Sequence, residues 1–318
     1  MQDLIKQEKN ASSELLEGLV LAHQDIITLA EPDIVISKGL AEADRVTVIA
    51  FGGTGSEPAM SGFVGEGLLD AFVAGDTFAA PGPAACLKAV QLADRGHGVL
   101  VLYANHTGAQ LTAHILKQQA QKLGLAVALV AAHDDAAQAG REQPAERRGL
   151  LGCLPLCKLA AAAAAAGKGL NEVAELAQRV ADNSSTLVMA ASENKAAWSL
   201  GAGAHGEAGG EELAPLTVAE AAQLLADRLL ADLKVQAGEK LLVIVSGSGE
   251  LVLGQQLLVF RSLYVQLEAA GAVVAVSRVG SFLTLPQAAG LAVCLVRLDE
   301  ELVALWQAGC NAPYYKQC

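Results

Sequence analysis

Residues 45–58, RVTVIAFGGTGSEP, decide the fold class of this chain. The first half is a short apolar run with β-branched residues, which is typical of a buried strand. The second half is a glycine-rich turn, and Pro58 suits the first turn of a following helix. Ligands of open α/β sheets collect at the carboxyl ends of strands, so we expect a ligand-binding turn around Gly52 and Gly53.

The rest of the chain repeats this alternation of strands and helices. Near-continuous apolar runs bounded by helices predict parallel strands covered on both faces. After a break near residue 190, a second α/β pattern begins with a helix at 218–233. We predict an α/β protein of two α/β domains with mostly parallel or mixed sheets, an N-terminal domain at 1–190 and a C-terminal domain at 191–318.

The composition excludes several classes of partner. The 318 residues are 53% hydrophobic and carry a net charge of −12. An acidic surface repels phosphate backbones and anionic lipids, so we expect neither nucleic-acid nor membrane partners. The N-terminus has mixed charges and no apolar signal segment, which favours a cytoplasmic location. The six scattered cysteines are expected to be reduced structural thiols.

The turn 52–57, GGTGSE, does not match the common nucleotide-binding motifs. It lacks the Lys-Ser/Thr of a phosphate-binding loop and the G-x-G-x-x-G spacing of a dinucleotide fingerprint. Its glycines would let a ligand approach the backbone closely. The alternative is a tight strand-to-helix turn without a ligand.

A second glycine-rich stretch, 201–210, contains His205. The polar side chains of this GAGAHGEAGG segment are His205 and Glu207. A loop histidine there could act as nucleophile, general base or metal ligand, or be an ordinary surface residue. Because no other histidine lies at ligand spacing in the sequence, we predict no metal site.

Four motifs in order resemble the dihydroxyacetone-binding subunit of the dihydroxyacetone kinase family. They are GGTGSEPAMSGFVGEGLLDAFVAGDTFAAPGP (52–83), NHTGAQL (105–111), ERRGLLG (146–152) with its alanine-rich helix, and GAGAHGEAG (201–209). The segment beginning GQQLLVFRSLYVQLEAAG (254–271) resembles the family's C-terminal domain. The resemblance implies two α/β domains with the site between them, in a protein that tends to form homodimers.

The resemblance also implies the chemistry of His205. In the family, the corresponding histidine attacks the ketone carbon and forms a hemiaminal with dihydroxyacetone. A neutral imidazole nitrogen is a suitable nucleophile near pH 7, and a small ketone adds to it reversibly.

The chain departs from the family at four polar positions. The family's histidine, aspartate, lysine and serine correspond here to Ser56, Ala109, Ala104 and Ala80. The resemblance makes the first two acid/base groups and the last two substrate-binding groups. Gly53 and His205 are retained, and His106, at the family's tyrosine position, is a candidate substitute base, as is Ser56.

Three functional hypotheses follow. The chain is a regulatory paralogue that captures dihydroxyacetone or a related small ketone on His205, or an active kinase subunit with a rebuilt site. In the third, the fold is kept for assembly and His205 binds nothing. We expect no cofactor in this chain, so phosphoryl transfer would need a nucleotide-bearing partner subunit, and a regulatory role would need a regulatory protein.

Overall fold

The computed structural model describes residues 11–191, 197–285 and 289–318. The helices in these ranges are α1 (Ala11–Ala22), α2 (Pro83–Ala93), α3 (Thr107–Lys122), α4 (Cys153–Ala165), α5 (Leu170–Asp182), α6 (Val218–Leu233), α7 (Leu253–Ala269) and α8 (Glu300–Trp306). The strands are β1 (Ile27–Glu31), β2 (Ile34–Ser37), β3 (Thr47–Thr54), β4 (Ala71–Thr77), β5 (Val99–Ala104), β6 (Val127–Ala132), β7 (Ser184–Ala191), β8 (Trp198–Leu200), β9 (Glu211–Leu213), β10 (Lys240–Ser248), β11 (Val273–Gly280), β12 (Gly290–Leu298), β13 (Cys310–Ala312) and β14 (Tyr315–Gln317).

The first sheet has the strand order β1-β2-β4-β3-β5-β6. Strands β4, β3, β5 and β6 are parallel, and the antiparallel hairpin β1–β2 continues the sheet beyond β4. The parallel strands are apolar because helices cover the sheet. Their carboxyl ends meet at one edge, where the turn after β3 lies.

The second sheet has the order β11-β10-β12-β7-β8-β9 and is mostly antiparallel. Within this second sheet, β10 and β11 are the one parallel pair among the described strands. The two six-stranded mixed sheets with their helices confirm the predicted α/β class. Strand β7 begins this sheet at Ser184, so the sheet starts before the predicted division between residues 190 and 191. The division into domains at that point stays a prediction.

Helix α4 lies in a core that both sheets share. It is buried from Cys153 to Ala164, and its apolar cluster includes Ala50 of the first sheet and Ile244 of the second. Its alanine side chains are small, so neighbouring strands and helices can pack close to the helix backbone. The shared cluster holds the two sheets in a fixed relation, and this relation positions the site.

The helix predicted at Pro58 is not formed. Pro58 lies in a turn, where its carbonyl accepts a hydrogen bond from the Gly62 amide at 2.8 Å. The Gly55 amide donates to the Glu57 carboxylate at 3.0 Å, which tightens the turn before Pro58. The Pro58–Gly62 bond has the spacing of a single α-helical turn, but the following amides bond three residues back, and only a short 3₁₀ turn at Ser61–Phe63 follows.

The C-terminal segment has structure that the sequence did not predict. Strands β13 and β14 form a hairpin, with Ala312 opposite Tyr315. Cys310, the first residue of β13, is buried, and the buried Lys158 of α4 donates a hydrogen bond to the Ala308 carbonyl just before the hairpin. Among the described residues, no helix is long and apolar enough to cross a membrane.

Candidate functional site

A cavity of about 320 Å³ lies at the carboxyl ends of β3 and β5, facing the loop that carries His205. The eight residues that the sequence selected all line it: Gly52, Gly53, Ser56, Ala80, Ala104, His106, Ala109 and His205. They come from four separate segments of the chain, which only the fold brings together. Their roles stay predictions.

The turn after β3 forms one wall of the cavity. A Cβ atom on Gly53 would lie 2.6 Å from the backbone nitrogen of Ala79, so only glycine allows these two segments to approach. Ser56 links this wall to the His205 loop, because its hydroxyl donates to the Ala204 carbonyl at 2.9 Å. The Ser56 proton is therefore engaged in a structural bond.

Glu207 shapes the loop around His205. Its carboxylate accepts the His205 backbone amide at 2.9 Å, and its carbonyl accepts the Gly203 amide at 2.9 Å. A Cβ atom on Gly203 would lie 2.1 Å from the Glu207 carboxylate, so a larger residue there would displace that side chain from its place in the loop. The loop presents the His205 ring to the cavity in a half-buried position.

The His205 ring lies against two other rings. Its centroid is 4.3 Å from that of His106, with the planes nearly parallel at 26°, and 5.4 Å from that of Phe78. Burial lowers the pKa of His205, the Glu207 carboxylate raises it and the Arg148 guanidinium lowers it, with a net lowering. The ring is therefore neutral at pH 7, the state in which an imidazole is a nucleophile.

His106 sits at the start of α3 and is more strongly perturbed. Burial, with a smaller effect of His205, lowers the pKa of His106 to about 4. Its Nε2 atom is buried without a hydrogen-bond partner. His106 lines the cavity, and its neutral imidazole can donate a proton to a ligand, or accept one from it, once the ligand reaches a ring nitrogen.

Arg148 was not selected from the sequence, although it lies in the ERRGLLG motif. Its Nε donates to the buried Asp135 carboxylate at 2.6 Å, and its Nη2 donates to the Gly201 carbonyl at 2.8 Å. It therefore holds the beginning of the His205 loop against the end of β6. Phe78 was also missed, because its contact with His205 depends on the turn after β4, where Phe78 has a positive φ of 59°.

His106, His205 and Glu207 each offer a donor atom within 4.8 Å of the other two. The donor types suit a transition metal. However, the in-plane lone pairs of two nearly parallel rings run alongside each other and do not converge on one ion. The expected lack of a metal site stays a prediction.

Most of the cavity wall is apolar. Alanine side chains occupy positions 80, 104 and 109, and the larger apolar groups are Met60, Phe78, Leu150 and Leu283. Cys153 also lines the cavity, and burial raises the pKa of its thiol well above the usual value. The thiol is therefore protonated and a poor nucleophile at neutral pH.

The family model and the similar curated proteins agree on one family. Residues 17–314 match the Dak1 domain. The chain is 31% identical to the dihydroxyacetone-binding subunit DhaK of the PTS-dependent dihydroxyacetone kinase 2 of Listeria innocua serovar 6a, over 99% of each chain.

Solved structures give the same result. One described as "Regulation of the dha operon of Lactococcus lactis" superposes with a TM-score of 0.91 at 25% identity, covering 99% of this chain and 98% of that one. Another, the dihydroxyacetone kinase operon co-activator Dha-DhaQ, has a TM-score of 0.88 at 25% identity and covers 96% and 98%. The fold, the order of its motifs and these matches together place the chain in the Dak1 domain family, alongside dihydroxyacetone-binding DhaK subunits.

Proposed function

We propose that this chain binds dihydroxyacetone or a related small ketone through a covalent hemiaminal on His205, and that it acts as a ligand-binding regulatory paralogue. One observation carries the proposal. A neutral histidine faces a ligand-sized cavity in which three wall positions, 80, 104 and 109, carry only alanine. The cavity thus has a group that captures a carbonyl but few groups that activate a hydroxyl.

The capture step needs only groups that the cavity supplies. The lone pair of one His205 ring nitrogen attacks the carbonyl carbon, and the C=O π electrons move to oxygen. That oxygen gains a proton, and the other ring nitrogen loses one, so the adduct is neutral. The carbonyl requirement selects ketones and aldehydes over glycerol.

Phosphoryl transfer would be impaired for two reasons. Loss of a general base typically lowers a rate by about 10²–10⁴-fold. Ala109 offers no base. Ser56 stands where the family that this chain resembles has a histidine, and its hydroxyl already donates a hydrogen bond to the Ala204 carbonyl. Two relatives named for operon regulation and co-activation support a regulatory role with a protein partner. The chain would function without a cofactor of its own, and we expect a homodimer.

Calorimetric titration with dihydroxyacetone tests the capture. We expect binding to the wild-type chain, none to His205→Ala, and none of glycerol to either. His114→Ala, an exposed histidine on α3, is the matched control and should bind like wild type. Equal binding to wild type and His205→Ala would reject covalent capture.

The second candidate is an active ketose kinase subunit, and His106 favours it. Its unpartnered, neutral ring at the cavity wall could replace the missing bases. The test is turnover with a nucleotide-loaded partner subunit and dihydroxyacetone. Phosphorylated product that disappears in His106→Gln would establish the kinase, whereas no product with ketone bound supports the regulatory paralogue.

A further inference from the structure

The shape and polarity of the cavity bear on which carbonyl compound fits it. Counted generously at about 30 Å³ for each atom, the volume that a separate water molecule occupies, the six non-hydrogen atoms of dihydroxyacetone fill at most roughly 180 Å³. The cavity measures about 320 Å³. A triose would leave space for roughly four or five further atoms at the same packing.

The polar side chains of the lining residues are few. They are Ser56, His106 and His205, together with the thiol of Cys153. The Ser56 proton is donated to Ala204, and His205 would be consumed by the adduct. His106 Nε2 remains as the buried lining side-chain atom that lacks a partner. One hydroxyl, the one that the hemiaminal itself creates, is enough to satisfy it.

Additional ligand hydroxyls would find the Ser56 oxygen as an acceptor and backbone groups of the glycine-rich wall, and would otherwise face apolar side chains. Ala80, Ala104 and Ala109 line the cavity, and so do the larger apolar residues Met60 and Leu283. A buried hydroxyl without a partner lowers affinity by roughly five- to a hundredfold. An alkyl group at the same place gains from leaving water instead.

We infer that the preferred ligand is a ketone or aldehyde with an apolar chain of a few carbons and few or no hydroxyl groups, held by His205 and oriented by His106. This inference rests on the proposed capture by His205 and narrows its substrate class. The unsubstituted chain would occupy the apolar part of the cavity, and the new hemiaminal hydroxyl would pair with His106 Nε2.

The test compares two ligand series by calorimetry, with intact-protein mass spectrometry to detect the adduct. The first series keeps the three carbons and removes hydroxyls: dihydroxyacetone, hydroxyacetone and acetone. The second lengthens the chain: acetone, 2-butanone, 2-pentanone and 2-hexanone. We expect affinity to rise about fourfold for each added methylene until the cavity is filled. We also expect 2-pentanone to bind more tightly than dihydroxyacetone, with both lost in His205→Ala.

A single wall substitution gives an independent measurement. Ala80→Ser adds one hydroxyl to the cavity with little change in volume. It should therefore weaken the binding of 2-pentanone and strengthen the binding of dihydroxyacetone. Ala84→Ser, exposed in the first turn of α2, is the matched control and should change neither.

The outcomes separate this inference from the function it rests on. Dihydroxyacetone binding that depends on His205 and exceeds that of every alkyl ketone would overturn the apolar preference and leave the capture intact. No binding by either series would overturn both. Alkyl ketones bound equally by His205→Ala would show an apolar cavity without capture and would also overturn the inference.

Discussion

His205 and His106 stack in the site, but their protonation behaviour differs from that of ordinary surface histidines. Burial lowers the pKa of both rings, and the negative charge of Glu207 raises the pKa of each by a smaller amount. An imidazole adds to a carbonyl only while it is neutral, because protonation removes the lone pair. The residue-level account therefore makes ketone capture dependent on pH in a defined direction.

Adduct formation should be constant from pH 8 to about 6.5, the ordinary histidine value, and fall only below it. Glu207→Gln removes the charge that raises the pKa of His205 but keeps an oxygen for the His205 amide. The loss of capture should then occur at a lower pH than in wild type. Calorimetry across pH measures this, with the exposed Glu175→Gln as control. A shift toward higher pH would contradict the account.

Glycine at position 53 illustrates how a single residue sets the wall of the cavity. Gly53→Ala places a methyl group against the Ala79 backbone, which cannot move like a flexible side chain. We expect a loss of about 1–3 kcal/mol in unfolding free energy and weaker ketone binding. Gly18→Ala in α1 meets nothing within 4 Å and should be neutral or stabilising. Thermal unfolding compares the two, and equal stabilities would contradict the close approach.

Asp134, after β6, connects three elements of the fold. Its carboxylate accepts the Leu150 amide at 2.8 Å, the Gly152 amide at 2.7 Å and the Thr186 hydroxyl, so it ties the start of α4 to β7. The sequence shows an acidic pair after a strand, but the separation of Asp134 from Thr186 along the chain hides this role.

Replacing Asp134 with Asn should destabilise the protein by about 2 kcal/mol or more. The amide group cannot accept at both of its ends, so at least one buried donor loses its partner. Asp227→Asn, exposed on α6, should change the unfolding free energy by less than about 0.5 kcal/mol. Denaturant unfolding measures both variants. An Asp134→Asn protein as stable as its control would show that these bonds contribute little.

Elements with strong periodic patterns were predictable, and short ones were not. Strand β3 and helix α5 follow directly from their apolar residues. Strand β4 contains Gly75 and Asp76, which weaken the strand signal, and its pairing depends on β2 and β3. The hairpin β13–β14 has only three residues per strand and forms because it packs on the rest of the molecule. The candidate cavity could be assembled from the sequence only through its motifs, whereas Phe78 and Arg148 required the fold.

At the scale of the whole molecule, α4 joins the two sheets through one apolar cluster. A shared core of this kind predicts cooperative unfolding, because neither sheet can lose its packing alone. Circular dichroism and tryptophan fluorescence should therefore report one coincident transition. Trp198 lies in the second sheet, and the buried Trp306 ends α8.

Ala163→Leu tests this coupling by overfilling the cluster. Ala163 is fully buried, so the larger side chain should lower the free energy of unfolding by about 1–3 kcal/mol. The unfolding midpoints measured by circular dichroism and by fluorescence should fall together. Ala219→Leu, exposed on α6, is the control and should have little effect. Two separated transitions, in wild type or variant, would show that the sheets unfold independently.

The most direct measurement of the central claim is a crystal structure of the chain soaked with a small ketone. The account predicts continuous electron density from a His205 ring nitrogen to a tetrahedral ligand carbon, with the new hydroxyl near His106 Nε2. An empty cavity at high ligand concentration, or a ketone held there with its planar carbonyl intact, would contradict covalent capture by His205.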